Sequence, residues 1–575
     1  MLILGVHPGY HDASAILCQD YRILAAVQLE RLTRRKADGG RFPGEAVDEC
    51  LAIAGARRAD IDVAVLGRGA YPWRYYTHFR GGRWLEGRVR EALGRDKMKS
   101  MERELVLARR TDSLAIFDAG LFRAEQGLRP DAEVRFYNHH LAHALPTLFH
   151  SDWQDALLYT SDGGGDNVQY SHRVFRDGHI TTLYGDDSGL VQPLRIDSLG
   201  LAYGYATQAL GYRINRHEGK LTGLAAYGEP VLYEQFAAHY RVDELGQVHS
   251  DFDSYRALRR WVLETADGRK PADVAASVQA LLEEVTLRAV KTLLARNPVR
   301  HLGLSGGVFA NVRLNQRLGE ECGVDEVFVY PAMSDSGLAA GGVLDYLLAR
   351  DGLDRWLDRR YRLDSLYFGR DWGAQADAAF AADARLERTA GEPVETAVRL
   401  IADGAQVAIF TAGMEYGPRA LGARSILAAA TDAAINDALN ARLGRSEFMP
   451  FAPVVTEADA AEVFELAAPL AYAARFMTVT CRVRPAWRER IPAVVHVDGT
   501  ARPQTLRRDW NPLCYDILDA YKRRTGIPVL INTSFNAHEE PIINTPAECA
   551  QALTDDRVDY VVTRAAVYRR RAGAA

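Results

Sequence analysis

A chain of 575 residues is long enough for three or four domains' worth of core, and 48% hydrophobic with 25% charged content is the make-up of an ordinary globular protein. The formal net charge of -5, from 70 Lys and Arg against 75 Asp and Glu, argues against a polyanion as the main partner, although a local basic groove is compatible with it. The six cysteines are scattered with no C-x-x-C, and no uncharged apolar run is long enough to span a bilayer. A cytoplasmic protein with no structural zinc cluster, disulfide framework, membrane or nucleic-acid partner is expected.

Leu2–Val6, Ala15–Cys18 and Arg22–Gln28 read as strands, with the polar, turn-forming loop His7-Pro8-Gly9-Tyr10-His11-Asp12 after the first. Actin-like ATPase domains begin this way, as do other α/β domains. The cations of Leu29–Lys36 suit an anionic ligand or a solvated helix face. Trp73–Arg110, rich in Arg, Tyr and Trp, reads as a substrate-covering insertion or a surface helix pair.

The segment Asn138-His139-His140-Leu141-Ala142-His143-Ala144 carries the first sharp chemical signal. On a helix, His139 and His143 project from one face, close enough to share a metal ion. A strand over Ala156–Thr160 then runs into Ser161-Asp162-Gly163-Gly164-Gly165-Asp166, where glycines let a backbone approach a bound ion or phosphate. Two imidazoles with Asp162 suit iron, manganese or zinc better than calcium or magnesium. Two ordinary histidines beside an unrelated turn remain the plain alternative.

His217–Gly228 sets Glu218 and Lys220 among glycines, a pattern shared by ligand sites and helix caps. Val274, Val278, Leu281, Leu282, Val285, Ala289 and Leu293 form one helical stripe that stops at Asn297-Pro298. The strand His301–Leu304 leads into Ser305-Gly306-Gly307-Val308-Phe309-Ala310-Asn311, with a helix starting near Asn311. Gly306, Gly307 and Asn311 thus resemble a nucleotide cradle, or else mark close helix–strand packing. Asp335, before Ser336-Gly337, either caps a helix or serves as a further metal ligand.

An irregular, charged stretch between Leu347 and Arg370 marks a boundary, giving domains over 1–350 and 366–575. The second restarts as α/β, with a helix over Val394–Ala402 ended by Gly404 and a strand over Gln406–Phe410. Polar clusters at Glu415–Ser425, Glu447–Pro453, His496–Thr505 and Ile531–Asn536, after the strand Ile527–Leu530, look like the walls of one ligand site. The arginine forks among them match phosphate oxygens.

Taken in order, His11-Asp12, His139–His143, Ser161–Asp166, Glu218–Gly228, Gly306–Asn311, Asp335–Gly342, Glu415–Ser425, Phe448–Pro453, His496–Gln504 and Asn532–Pro541 resemble the O-carbamoyltransferases of the nodulation-protein and antibiotic-biosynthesis type, from end to end. The resemblance implies an N-terminal actin-like (ASKHA) domain and a C-terminal twisted α/β domain similar to threonylcarbamoyl-AMP synthases. It implies that carbamoyl phosphate and Mg-ATP give carbamoyl-adenylate and pyrophosphate in the second domain. The carbamoyl group then passes to a hydroxyl of a sugar or natural product beside an iron (Fe2+) or similar metal in the first. His139, His143, Asp162 and Asp335 would hold the metal. Arg419, Arg424, Ser425, Arg502 and Asn532 would line the adenylate site, and His11, with Asp12 and His139, would act on the acceptor. A homodimer is compatible with this reading.

Two places depart from the family pattern. Leu443-Gly444-Arg445 stands where many members have a lysine, which makes Arg445 the candidate for its role, and Ala537-His538-Glu539-Glu540-Pro541 replaces a basic residue followed by Gly-Glu-Pro. The alternative function is a tRNA threonylcarbamoylation-type nucleotide-modifying enzyme, against which the negative charge counts. A hydrogenase-maturation protein would carry paired C-x-x-C motifs, and an actin-like assembly protein would not need the arginines of the second half.

Overall fold

In the computed structural model, which describes residues 1–77, 85, 89, 98–445 and 449–573, the first strands form where the apolar runs lie. They are β1 (Leu2–His7), β2 (Ser14–Gln19) and β3 (Arg22–Gln28), an antiparallel meander, and β4 (Val63–Leu66) and β5 (Glu133–Phe136) extend β1 in parallel. The sheet order is β3-β2-β1-β4-β5. Residues 78–84, 86–88 and 90–97 of the Trp73–Arg110 stretch lie outside the described residues, as does the Glu447-Phe448 pair.

The chain then repeats the pattern. Helix α1 (His139–Phe149) leads to β6 (Ala156–Gly165), β7 (Val168–Arg176) and β8 (His179–Tyr184), a second antiparallel meander. After α2 (Glu218–Leu224) and α3 (Pro271–Arg296), β9 (His301–Ser305) adds in parallel to β6. Helix α4 (Val312–Glu321) then carries the chain to β10 (Glu326–Val329), parallel to β9. The order β8-β7-β6-β9-β10 reproduces the first sheet strand for strand. All seven residues of the expected stripe on α3 are buried, and the helix stops two residues before Pro298.

Helix α5 (Leu338–Asp351) packs against α1 between the two sheets, in a core shared by Ile3, Val63, Leu145, Leu158, Phe328 and Val343. A Cβ on Gly341 would sit 1.7 Å from the Ala142 carbonyl oxygen, so the helices meet through their backbones and only glycine fits.

The second half forms α6 (Pro393–Ala402) and a mixed eight-stranded sheet. Its strands are β11 (Leu386–Arg388), β12 (Val407–Phe410), β13 (Arg424–Ala429), β14 (Ala452–Thr456), β15 (Gln504–Leu506), β16 (Val529–Ser534), β17 (Tyr560–Val562) and β18 (Val567–Arg570). They run in the order β11-β18-β17-β12-β13-β16-β14-β15. Across the expected division of the chain, Leu470, Ala473 and Val479 join the core of the second sheet, and Tyr472 and Phe476 join the core between the sheets. No helix among the described residues is long and apolar enough to cross a membrane.

Candidate active site and metal centre

The Asn138 side chain accepts a hydrogen bond from the Leu141 N–H at 2.8 Å, which starts α1 at His139 and puts His139 and His143 one turn apart on one face. They meet Asp162, which lies within β6 rather than after it, because the strand continues through the glycines to Gly165. His139 Nε2 is 2.7 Å from Asp162 Oδ2, and His143 Nε2 is 3.4 Å from the same oxygen. Asp335 Oδ1 stands 3.9 Å from His139 Nε2 and 3.7 Å from His143 Nε2. Asp335 caps no helix, so the expected capping role falls away, and its carboxylate stands beside the other three side chains.

These four residues offer ligand atoms within 4.8 Å of one another. Atoms bound at about 2.0–2.2 Å to one ion stand roughly 3–4 Å apart, and the histidine–carboxylate distances here run from 2.7 to 3.9 Å. His143 Nε2 and Asp162 Oδ1 are buried with no hydrogen-bond partner, a cost that a shared cation would remove. The residues therefore fit a transition-metal ion.

The neighbours play supporting parts. His140 is held down at about 3 by burial, and it spends its nitrogens on Thr160 Oγ1 and the Val168 carbonyl at 2.8 and 3.1 Å, so it is no ligand. Asp166 accepts the His139 N–H at 2.7 Å and pairs with Arg68 at 2.8 Å, anchoring the start of α1. A Cβ on Gly165 would lie 2.3 Å from the His139 ring, so this glycine makes room for an imidazole. Burial opposes charge on His139, yet Asp162 lifts it to about 10, while Asp162 and Asp335 fall below the carboxylate range despite their own burial, through their histidine neighbours. His11 lies 3.9 Å from Asp335 and 3.4 Å from Asp12. Burial works against its charge, but Asp12 and Asp335 hold it at about 9.

Around this centre opens a cavity of about 400 Å³ at the seam between the halves. The first half contributes His11, Asp12, Arg31, Lys36, Gly307 and Asn311, and the second contributes Arg419, Ser534 and Asn536. Arg419 has no hydrogen bond or ion pair among the described residues, and burial alone lowers its basicity. The Leu29–Lys36 charge run is thus not a solvated face. Arg31 is buried and donates to the Gly417 carbonyl at 2.7 Å, and Arg34 donates to the carbonyls of Pro541 and Ile542 at 2.6 and 2.8 Å.

The other arginines of the second half are spread over different places. Arg424 is fully buried, donates to the carbonyls of Thr411, Ala412, Ala423 and Arg370, and lies 3.9 Å over the Phe410 ring. Ser425 accepts from the Gly422 N–H at 2.9 Å, and Asn532 donates to Gln504 at 2.6 Å. These three line neither large cavity. Arg445 clasps Thr533, Ser534 and Asn536, shaping the loop that faces the centre. Arg502 lines a second cavity of about 330 Å³ with Arg313, Glu283, Asp498 and Phe451.

Between the cavities stands a hydrogen-bonded wall. Asn311 donates to Thr222 at 3.3 Å and to Gln279 at 2.8 Å, and the Tyr203 hydroxyl reaches both partners at 3.0 and 2.9 Å. Asn311 also caps α4, so the amides of that helix start are partly spoken for. Gly306 takes φ 101° against Ser161, a packing role, whereas Gly307 opens onto the first cavity. Elsewhere His217, His538 and Glu539 also cluster, but Glu539 is already held by Arg213, Arg216 and His217 at 2.9, 3.2 and 2.6 Å, an ion-pair clasp rather than a cation site.

Sequence reasoning passed over His7, which ends β1 inside the named loop, as well as Arg68 and Tyr203. Only the position of His7, at a strand end before Pro8-Gly9, carried a signal.

Fold and site together define an α/β protein with a histidine–carboxylate cluster that could hold a metal ion, facing cationic groups from a second α/β half. Residues 2–344 match the family model described as carbamoyltransferase N-terminus, and residues 398–570 match carbamoyltransferase C-terminus. The chain belongs to the carbamoyltransferase family and is an enzyme of that type. Nodulation protein NolNO of Sinorhizobium fredii is 33% identical over 98% of this chain and 79% of its own length. Nodulation protein NolO of Bradyrhizobium diazoefficiens is 34% identical over 76% of this chain and 79% of its own. Among solved structures, component A of the (R)-2-hydroxyglutaryl-CoA dehydratase of Acidaminococcus fermentans covers 60% of this chain and 96% of its own at 14% identity and TM-score 0.32, too distant a likeness to bear on function.

Proposed function

We propose that the enzyme is an ATP-dependent O-carbamoyltransferase that makes carbamoyl-adenylate from carbamoyl phosphate and ATP and passes the carbamoyl group to a hydroxyl of a small molecule. The observation that carries this reading is Arg419, a guanidinium with no partner among the described residues, in the same cavity as Asp162 and Asp335. An unpaired, largely desolvated cation calls for an anion, and the phosphate of an acyl donor supplies one next to the centre where the acyl group is taken up.

Carbamoyl phosphate is a poor electrophile toward an alcohol. Hydrolysis of carbamoyl phosphate to carbamate and phosphate, followed by attack of a carbamate oxygen on the α-phosphorus of ATP with loss of pyrophosphate, gives a donor with more contacts to orient its carbonyl. Arg502, with Arg313 beside it in the second cavity, suits the polyphosphate of ATP there. The acceptor oxygen then attacks the carbamoyl carbon, AMP leaves, and His11 at the cavity wall takes the hydroxyl proton. His11 must be neutral for this, and a cation held by Asp162 and Asp335 would offset their share of the charge that lifts it, leaving that of Asp12. An iron-like ion bound by the four ligands would supply Lewis acidity. In this account Arg424, Ser425 and Asn532 act from behind, by bracing β13 and β16 under the adenylate. The doubled five-stranded sheet supports the actin-like reading of the first half. The family match speaks against the tRNA-modifying alternative.

Pyrophosphate release from ATP, followed with and without carbamoyl phosphate, tests the proposal. Release that requires carbamoyl phosphate is expected, and an enzyme that transfers the carbamoyl group without ATP would overturn it.

A further inference from the structure

His7 has no part in the account so far, yet it is buried with its Nε2 lacking any hydrogen-bond partner. That nitrogen lies 3.6 Å from Asp335 Oδ2. On the other side of the ring, Nδ1 is 3.2 Å from the Tyr137 hydroxyl, which is buried as well. The ring has little room to turn. A Cβ on Gly9 would lie 2.1 Å from Nε2, and one on Gly67 would lie 3.0 Å from Nδ1, so two glycines form its cradle.

Asp335 divides its oxygens between two audiences. Oδ1 faces His143 and His139, the candidate metal ligands, at 3.7 and 3.9 Å. Oδ2 faces His7 and His11, at 3.6 and 3.9 Å. The Tyr137 hydroxyl lies 3.2 Å from the Val6 carbonyl as well as from Nδ1, so its one proton can go to either; when it goes to Nδ1, the imidazole carries its own on Nε2, facing the carboxylate. The opposite tautomer would set a lone pair against an anionic oxygen.

We infer that His7 is a positioning residue of the metal centre: its Nε2–H holds Asp335 Oδ2, which keeps Oδ1 turned toward the ion shared with His139, His143 and Asp162. The inference rests on the metal reading above. Such outer partners orient a ligand and set the affinity of the site, commonly by about 10–100-fold.

Cobalt(II) titration, followed by the visible absorption of the bound ion, tests this without reference to activity. His7→Phe keeps a ring in the cradle and removes the donor, whereas His7→Gln keeps an amide N–H that can reach Asp335. Wild type is expected to take up about one equivalent, His7→Phe to bind about 10–100-fold more weakly with a shifted band, and His7→Gln to recover most of the affinity. Should His7→Phe not fold, Tyr137→Phe, which frees the tautomer and gives up the bond to the Val6 carbonyl, is expected to weaken binding by about 3–10-fold. Wild-type affinity and spectrum in a folded His7→Phe, or in Tyr137→Phe where that variant carries the test, would overturn the inference and leave the metal centre standing. A wild type that binds no cobalt would overturn both.

Discussion

Asn311 donates its side-chain N–H to Thr222 Oγ1 across 3.3 Å, and this bond closes the wall between the cavity of the metal-centre residues and the cavity of Arg502. The same side chain caps α4 by accepting the Leu314 N–H at 3.0 Å. Asn311→Ala should cost on the order of 1–2 kcal/mol in thermal or urea unfolding through loss of the cap. Asn311→Asp keeps a capping oxygen and should recover most of that stability, although it loses the bonds to Thr222 and Gln279. Equal destabilisation by both substitutions would mean that the wall, not the cap, holds the segment.

Metal content follows from the four ligands. Purified wild type should retain roughly one equivalent of iron or a similar transition metal, and His143→Ala should lose most of it. Elemental analysis of the two proteins side by side decides the point, and equal metal in both removes the site.

Two arginines five residues apart should behave in opposite ways. Arg419 has no partner among the described residues, so Arg419→Ala should leave the melting temperature near wild type. It should lower kcat/KM for the carbamoyl donor by on the order of 2–5 kcal/mol, roughly two to four decades. Arg424 is held by four backbone carbonyls, so Arg424→Ala should take a donor from each and unfold the domain at lower temperature. Activity and unfolding measured on the same preparations separate the two roles.

Glu539 ties the second half to the 213–217 segment. Partial burial favours its neutral form, but the His217 hydrogen bond and the charges of Arg216 and Lys36 hold it down at about 2. A depressed carboxylate adds stability that is fully present above its unfolded value near 4.5 and is lost as pH falls toward 2. Glu539→Gln should therefore melt below wild type at pH 7, and the gap should narrow as pH drops below about 4.5. A gap that stays constant down to pH 3 would mean that the charge contributes nothing.

The strands, the stripe of α3 and the pairing of His139 with His143 were legible because each rests on local spacing, as alternation, a 3.6-residue period or histidines one turn apart, whereas Asp335 joined them only through the family resemblance. The roles of Arg419 and Arg424 were not, since both sit in one arginine- and glycine-rich stretch with identical chemistry. What separates them is that Arg424 opens β13 and turns inward over Phe410. The single ligand site expected from the polar clusters became two cavities for the same reason, because the wall of Tyr203, Thr222, Gln279 and Asn311 is assembled from four distant segments. His7 stayed hidden because Tyr137, its partner, is 130 residues away.

The central claim is that the two halves divide the chemistry, and one assay tests it directly: carbamoyl-phosphate-dependent pyrophosphate release together with transfer to an acceptor, for Arg502→Ala and His139→Ala. Arg502 faces the second cavity and His139 belongs to the metal centre. Arg502→Ala should lose pyrophosphate release while keeping its melting temperature. His139→Ala should release pyrophosphate at close to the wild-type rate and transfer nothing. A well-folded Arg502→Ala enzyme that forms carbamoyl-adenylate at the wild-type rate would contradict the assignment and the division of labour with it.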